Sequence, residues 1–319
     1  MIAIDRRGLI AGGAAVLASP ALQAAAPFAG RQAPAFYRFR LGDFELTALY
    51  DGIWDRPLDA KFVRNASLGE VRRALADNFL PIDVLPLPFT ALLVNTGARL
   101  ILIDTGSGGQ MSPTAGSLVD NLGAAGVAPE QVDTVLISHF HPDHINGLRT
   151  KDDALVFANA EIMVPAPEWR YWMEENSATT VPEFARGVFL NAGRVFRNAG
   201  DRVTRFEPGR EVAPGIVSIP AYGHTPGHTI YAIASGGHAV LVLADTANHP
   251  WLFVRNPHWQ PIFDMDGPLS VAFRRKMLDR AATERMLVQG YHFPFPATGY
   301  IARRGTGFDF VPVQWQPVP

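Results

Sequence analysis

The chemistry of this chain is concentrated in His139-Phe140-His141-Pro142-Asp143-His144, where three imidazoles and one carboxylate fall within six residues. Neutral imidazole and carboxylate are the groups that zinc and related divalent cations accept as ligands. The hexapeptide follows the apolar run Val132-Asp133-Thr134-Val135-Leu136-Ile137, which reads as a buried strand, so the cluster leaves the strand's C-terminal end. Alternate residues of an extended segment point the same way, so His139 and His141 can grip one ion while Asp143 and His144 turn toward a second. A single histidine on an apolar face is ordinarily a satisfied core residue. Four ligand-type side chains in six positions behind a strand point to a metal site instead.

Further ligands come in order along the chain. Tyr222-Gly223-His224-Thr225-Pro226-Gly227-His228 follows the apolar run Ile216 to Pro220, and its glycines and proline make a tight turn. One histidine of the pair His224 and His228 is expected to bind and the other to support it by hydrogen bonding or packing. The run Val240-Leu241-Val242-Leu243-Ala244 ends in Asp245, and a carboxylate at the end of a buried strand needs a partner. Gly290-Tyr291-His292 closes another such run. Taken singly, Asp245 reads equally as a helix cap or turn residue and His292 as a surface residue. Taken together, four strand ends bring their ligands to one edge of a sheet.

The pattern H-x-H-x-D-H, then G-H-T-P-G-H, then a strand-end Asp and a late His, resembles the metallo-β-lactamase-fold hydrolases. Within them the chain is similar to the methyl parathion hydrolase-like enzymes, through Tyr37 to Leu49, Leu93-Val94-Asn95-Thr96-Gly97, Ile103-Asp104-Thr105-Gly106 and Gly307 to Val313. The likeness spans nearly all of residues 35 to 313. It implies that one metal is held by His139, His141 and His224, the other by Asp143, His144 and His292, with Asp245 bridging them. Asp245 and Asp143 are the implied catalytic carboxylates. His228 then supports the site, and Asp104 orients the ligand loop through hydrogen bonds, unless it merely closes a strand-end turn. The implied cofactor is a pair of divalent ions, zinc first, with manganese, cobalt or iron as alternatives. A homodimer is a further implication.

Around these motifs the chain must build a scaffold. Its 319 residues, 48% hydrophobic and 18% charged, suffice for a buried core, and a net charge of −2 with no basic block gives no sign of a nucleic-acid partner. There is no cysteine, which excludes disulfides and thiolate ligands. Arg6-Arg7 precedes an uncharged, Ala/Gly-rich segment from Gly8 to Gly30, with small residues at Ala24-Ala25-Ala26. Residues 1–26 therefore read as a cleaved export signal of twin-arginine type, directing the protein to the periplasm or beyond, with no lasting membrane association. Residues 27–35 read as a linker and 36–319 as one domain.

Within that domain, Phe36–Leu41 and Phe44–Tyr50 flank a Gly42-Asp43 turn, and Ser67-Leu68-Gly69-Glu70 is a capping box opening a helix to about Asn78. Strands are expected at Phe89–Asn95, Arg99–Asp104, Val132–Ile137, Val203–Phe206, Ile216–Pro220, Thr229–Ala234, Ala239–Ala244 and Met286–Gln289. Helices are expected from Ser117 to near Gly126 and from about Leu269 to Ala281. The two halves suggest an α+β architecture: a four-layer αββα sandwich of two mixed sheets, with metals along one edge between them. Residues 165–200 form a helical, aromatic-rich insertion between ligand blocks, with Trp172 and Phe189 as the expected substrate wall. His238, His249 and His258 are given no ligand role.

Two metals about 3.5–4 Å apart can share a water, lower its pKa and clamp a substrate oxygen. No G-x-S-x-G serine context suggests a protein nucleophile. The expected activity is hydrolysis of organophosphate triesters or esters of similar shape. A lactonase of acyl-homoserine lactone type is the first rival, and other ester, thioester or β-lactam hydrolysis follows from the same metal logic. Lactonases of the superfamily commonly carry tyrosine three residues after the bridging aspartate, where this chain has Asn248, leaving Tyr222 or Tyr291 to substitute. Diiron redox members place Glu where His141 stands, which argues against redox chemistry. A metal-binding protein without catalysis is the remaining alternative.

Overall fold

Both faces of the central strands are apolar, and that is what builds the layers. In the computed structural model, which describes residues 28–175 and 178–319, fourteen strands form two seven-stranded sheets. The first runs, in spatial order, β1 (Phe36–Leu41), β2 (Phe44–Pro57), β3 (Val84–Asn95), β4 (Leu100–Ile103), β5 (Thr134–Leu136), β6 (Glu161–Pro165) and β7 (Val203–Phe206). The second runs β14 (Gly307–Pro312), β13 (Thr298–Arg304), β12 (Leu287–Gly290), β11 (His238–Ala244), β10 (Thr229–Ser235), β9 (Ile216–Pro220) and β8 (Glu211–Ala213).

Alternation along each strand sorts side chains between two interfaces. Leu92, Val94, Ile101 and Ile103 meet Ile216, Ile233, Val240 and Val242 in the core between the sheets. Their neighbours point outward. Leu93 and Leu102 join a cluster with α2 (Leu118–Ala124) and α5 (Arg186–Val195). Leu241, Leu243 and Val288 join one with α1 (Leu68–Ala76) and α6 (Gly267–Thr283). The result is the metallo-β-lactamase fold: two mixed sheets flanked by helices.

Strand direction decides where the loops emerge. β4, β5 and β6 are parallel neighbours, so their C-terminal ends share one edge. In the second sheet β11 and β12 are parallel, and β9 is antiparallel to β10, which is antiparallel to β11. β9, β11 and β12 therefore also end together, and the six loops after these strands carry the site.

The capping box at Ser67 and Glu70 is formed in both directions. Ser117, the expected cap of α2, makes no side-chain cap; the buried Asp51, remote in sequence, accepts from Leu118 N at 3.2 Å instead. β6, β8, β13 and β14 are strands beyond those expected. All these elements belong to one compact unit, Pro34–Pro319. The export-signal reading of residues 1–26 lies outside the described residues. Among the described residues no helix is long and apolar enough to cross a membrane.

Candidate metal centre

Each loop delivers a ring whose orientation is set from behind. After β5, His139 Nδ1 lies 3.0 Å from Ser138 Oγ, and that hydroxyl donates to Asp104 Oδ2 at 2.8 Å. The serine oxygen is thus an acceptor for His139, whose Nε2 faces inward. Asp104 also accepts from Ser138 N and from His144 Nδ1, each at 2.8 Å. It orients the ligand loop, and its φ of 60° gives it a strained left-handed backbone of the kind stored at functional sites. After β9, His224 Nδ1 donates to Asp264 Oδ1 at 3.0 Å. After β12, His292 Nδ1 donates to Pro88 O at 2.9 Å. Such bonds fix the tautomer that leaves the other nitrogen free for a cation.

The inner atoms converge on two points. His139, His141, His224 and Asp245 form one group and Asp143, His144 and His292 the other, each with its donor atoms within 4.8 Å of one another. His141 Nδ1 lies 3.0 Å from His139 Nε2 and 2.9 Å from His224 Nε2. Asp245 stands between the groups: its Oδ2 is 3.2 Å from His224 Nε2 and 3.1 Å from His292 Nε2, and its Oδ1 is 3.0 Å from His144 Nε2. The structure thus brings together His139, His141 and His224 on one side and Asp143, His144 and His292 on the other. His228 stays outside both groups: its Nδ1 donates to Ala221 O at 3.0 Å and its Nε2 accepts from Asp245 N at 3.2 Å. It braces the aspartate.

Two atoms test whether cations suit this donor set. His144 Nε2 and Asp245 Oδ1 are buried and close, yet neither has a hydrogen bond of acceptable geometry. Orphaned buried polar atoms are costly, and converging imidazole lone pairs repel one another. A cation at each group relieves both, so the residues fit a metal pair. Without metal, protons take over the compensation. Burial disfavours the His224 cation, but Asp245 and Asp264 outweigh it and push its pKa up to about 9. Burial together with the neighbouring imidazoles drives His139 and His141 well below their ordinary value, and His228 down to about 3. For Asp245, burial is overcome by His292, His144 and His224, which hold it well below the carboxylate range.

The model of the metallo-β-lactamase superfamily matches residues 86–286, which include every one of these ligands except His292. The chain belongs to the metallo-β-lactamase superfamily. Superfamily relatives include a probable metallo-hydrolase of Mycobacterium tuberculosis and its counterpart in Mycobacterium bovis, each 26% identical over 183 residues, covering 50% of this chain and 56% of theirs. The chain thus spans about half the length of the curated relatives it matches. Among solved structures it is similar to AidC, a dizinc quorum-quenching lactonase in complex with a product, with a TM-score of 0.83 and 27% identity over 88% of this chain and 98% of that one. It is equally similar to the hydrolase AbOPH, with a TM-score of 0.83 and 27% identity over 90% of this chain and all of that one.

Above the two groups lies a cavity of about 370 Å³ with His141, Asp143, Asp245 and His292 on its floor. Its walls are largely apolar: Trp54, Leu87, Met111, Trp172, Phe263 and Met265. Among the described residues, the one charged side chain lining it apart from the ligand set is Arg56, whose guanidinium lies over the rings of Phe62 and Phe263. Trp172 is where it was expected. Phe189 is not among the lining residues: α5 presents Ala185, just before its first turn, and Val188 instead, and the next residue along a helix is rotated by about 100°. Tyr222 and Tyr291 do not line the cavity either. The Tyr291 hydroxyl is spent on Asp143 O at 2.5 Å and its ring stacks on His144. Asn248 does line it, and donates to Asp245 Oδ2 at 2.8 Å.

Sequence reasoning missed Glu168, Asp264 and Arg274, all fully buried. Asp264 joins His224 to Arg274, with Oδ2 2.8 Å from Arg274 Nη2. Glu168 and Asp264 lie on turns with no motif of their own, and Arg274 sits mid-helix. The one sequence signal was a carboxylate between apolar neighbours at Glu168 and Asp264; Arg274, followed by Arg275 and Lys276, carried none.

Proposed function

We propose that the protein is a dinuclear metal-dependent hydrolase of neutral, hydrophobic esters, with organophosphate triesters and aryl esters of similar shape as its substrate class, in the manner of the methyl parathion hydrolase-like subgroup. The observation that carries this reading is the pairing of two ligand groups, joined by Asp245, with a cavity walled by Trp54, Leu87, Trp172 and Phe263. Bound there, two divalent cations supply Lewis acidity, lowering the pKa of water toward neutrality and stabilising charge on the substrate and leaving group.

The chain's own residues do the rest. Asp104, Asp264 and the Pro88 carbonyl hold the ring nitrogens of His144, His224 and His292 in their tautomers. His228 and Asn248 hold Asp245 from its backbone and its Oδ2. The apolar walls exclude water and favour uncharged aromatic or alkyl groups over sugars and nucleotides. The test is turnover by the metal-replete protein of an aryl phosphotriester, an aryl ester and an acyl-homoserine lactone, before and after chelation. Loss of turnover on chelation, restored by zinc, cobalt or manganese, is expected. Hydrolysis at the untreated rate by metal-free protein refutes the reading.

Likeness to AidC favours a second reading, lactone opening. Against it, no tyrosine lines the cavity and Asn248 is bonded to Asp245. A pH-stat comparison of lactone and phosphotriester rates separates the two. Export through the segment containing Arg6-Arg7 is likewise our proposal; amino-terminal sequencing of protein recovered from the periplasm tests it.

A further inference from the structure

Glu168 lies in α4 (Ala166–Trp169), the short turn after β6, and is 0% exposed. Its carboxylate accepts four hydrogen bonds. Oε1 takes the Phe140 amide at 2.9 Å, between His139 and His141, and the Trp172 indole at 2.7 Å. Oε2 takes the Thr225 hydroxyl and the Gly227 amide, both at 2.8 Å, in the turn that carries His224 and His228. That turn approaches closely because residue 227 is glycine: a Cβ there would lie 2.1 Å from Glu168 N. Burial pushes the Glu168 carboxyl above its ordinary value, and the two donors on each oxygen work against that rise by stabilising the anion.

We propose that Glu168 is a positioning residue that sets the geometry of the His139–His141–His224 group and the stance of Trp172 from one shared anchor. This rests on the proposed metallohydrolase reading. A group that only filled space would not need both oxygens shared among two ligand loops and the cavity wall. The consequence is that ligand geometry and pocket shape are coupled through one side chain that touches neither cation nor substrate.

The test uses Glu168→Gln, which keeps the volume but turns an NH2 toward two of the four donors, Glu168→Asp, which keeps the charge, and Trp172→Phe, which removes one donor. Cobalt titration, the visible spectrum of the cobalt-loaded protein, melting temperature and the split between kcat and KM are measured for each. Glu168→Gln should weaken cobalt binding by about 10- to 100-fold, shift the spectrum and lower kcat. Glu168→Asp should recover part of the spectrum, and Trp172→Phe should raise KM with cobalt affinity unchanged. A Glu168→Gln protein with wild-type cobalt affinity and spectrum overturns the proposal, whatever its melting temperature. Should that variant not fold, Thr225→Val removes one donor and leaves the charge; an unaltered spectrum there overturns it equally. Wild-type protein that binds cobalt but turns over none of the esters sinks the hydrolase reading alone, while absence of cobalt binding sinks both.

Discussion

Asp264→Asn probes the brace behind His224. Both Asp264 and Arg274 are 0% exposed. Asp264 Oδ1 is 3.0 Å from His224 Nδ1 and Oδ2 is 2.8 Å from Arg274 Nη2. Arg274 Nε donates in turn to the carbonyl of Thr246, next to Asp245, at 2.6 Å. One ion pair therefore steadies His224 after β9 and the backbone beside Asp245 after β11. Asparagine keeps the shape, but its single oxygen can serve only one of the two donors and its NH2 confronts the other. Breaking a buried pair costs about 3–5 kcal/mol because the remaining charge is left uncompensated. At roughly 2.1 cal/mol/K per residue, a unit of this size has an unfolding entropy near ~600 cal/mol/K, so the melting temperature should fall by about 5–8 °C. Loss of the orienting carboxylate should weaken metal binding by a further factor of about 10–100.

Calorimetry with and without chelator separates these effects. The unpaired Arg274 destabilises the chelated protein too, so most of the drop persists there, whereas the affinity loss shows only in metal titration. A variant that melts within about 1 °C of wild type and binds metal with unchanged affinity refutes the reasoning.

Three other outcomes follow from the same geometry. Because the metal-free site raises His224 from 6.5 to about 9, metal loading at pH 7 should release protons, and apparent affinity should climb with pH until it passes about 9; titration in buffers of different ionisation enthalpy measures this. The sign for stability is that of a raised histidine: in metal-free protein its contribution is fully present below about 6.5 and lost as pH rises through about 9, which pH-dependent denaturant melts would show. Phe263→Ala removes a cavity wall that packs against Trp54 and Phe62, so KM for an aryl substrate should rise roughly tenfold, the equivalent of part of a phenyl ring's burial, with kcat unchanged.

The sandwich and the clustering of the candidate ligands were legible because each of the candidates follows a strand whose apolar run marks it. Leu241 and Leu243 alternate with Val240 and Val242 toward two different cores, and the run breaks at Asp245. The second ring of residues was not legible. Glu168 follows a strand of five residues that no periodicity marks out, and Asp264 sits in a loop whose partner Arg274 looks like an ordinary surface helix residue until α6 is packed against the second sheet. Their meaning lies in pairings across 40 and 10 residues that only the closed fold creates. Phe189 failed for a simpler reason: within a helix, composition names the segment but the face is fixed by one residue's rotation.

The orienting bonds also bear on how the centre forms. His144, His224 and His292 are each fixed by a group outside the ligand set: Asp104 after β4, Asp264 in the loop before α6, and a carbonyl of β3. None of these bonds needs a cation, and the layers that carry them are held by the three apolar cores. The fold therefore presents the imidazoles before metal arrives, unlike small metal domains whose binding energy is their folding energy. What metal adds is local: it displaces the protons that the surrounding carboxylates favour on His224 and His144 and satisfies Asp245 Oδ1. Chelation should accordingly empty the site and abolish turnover while leaving both sheets intact.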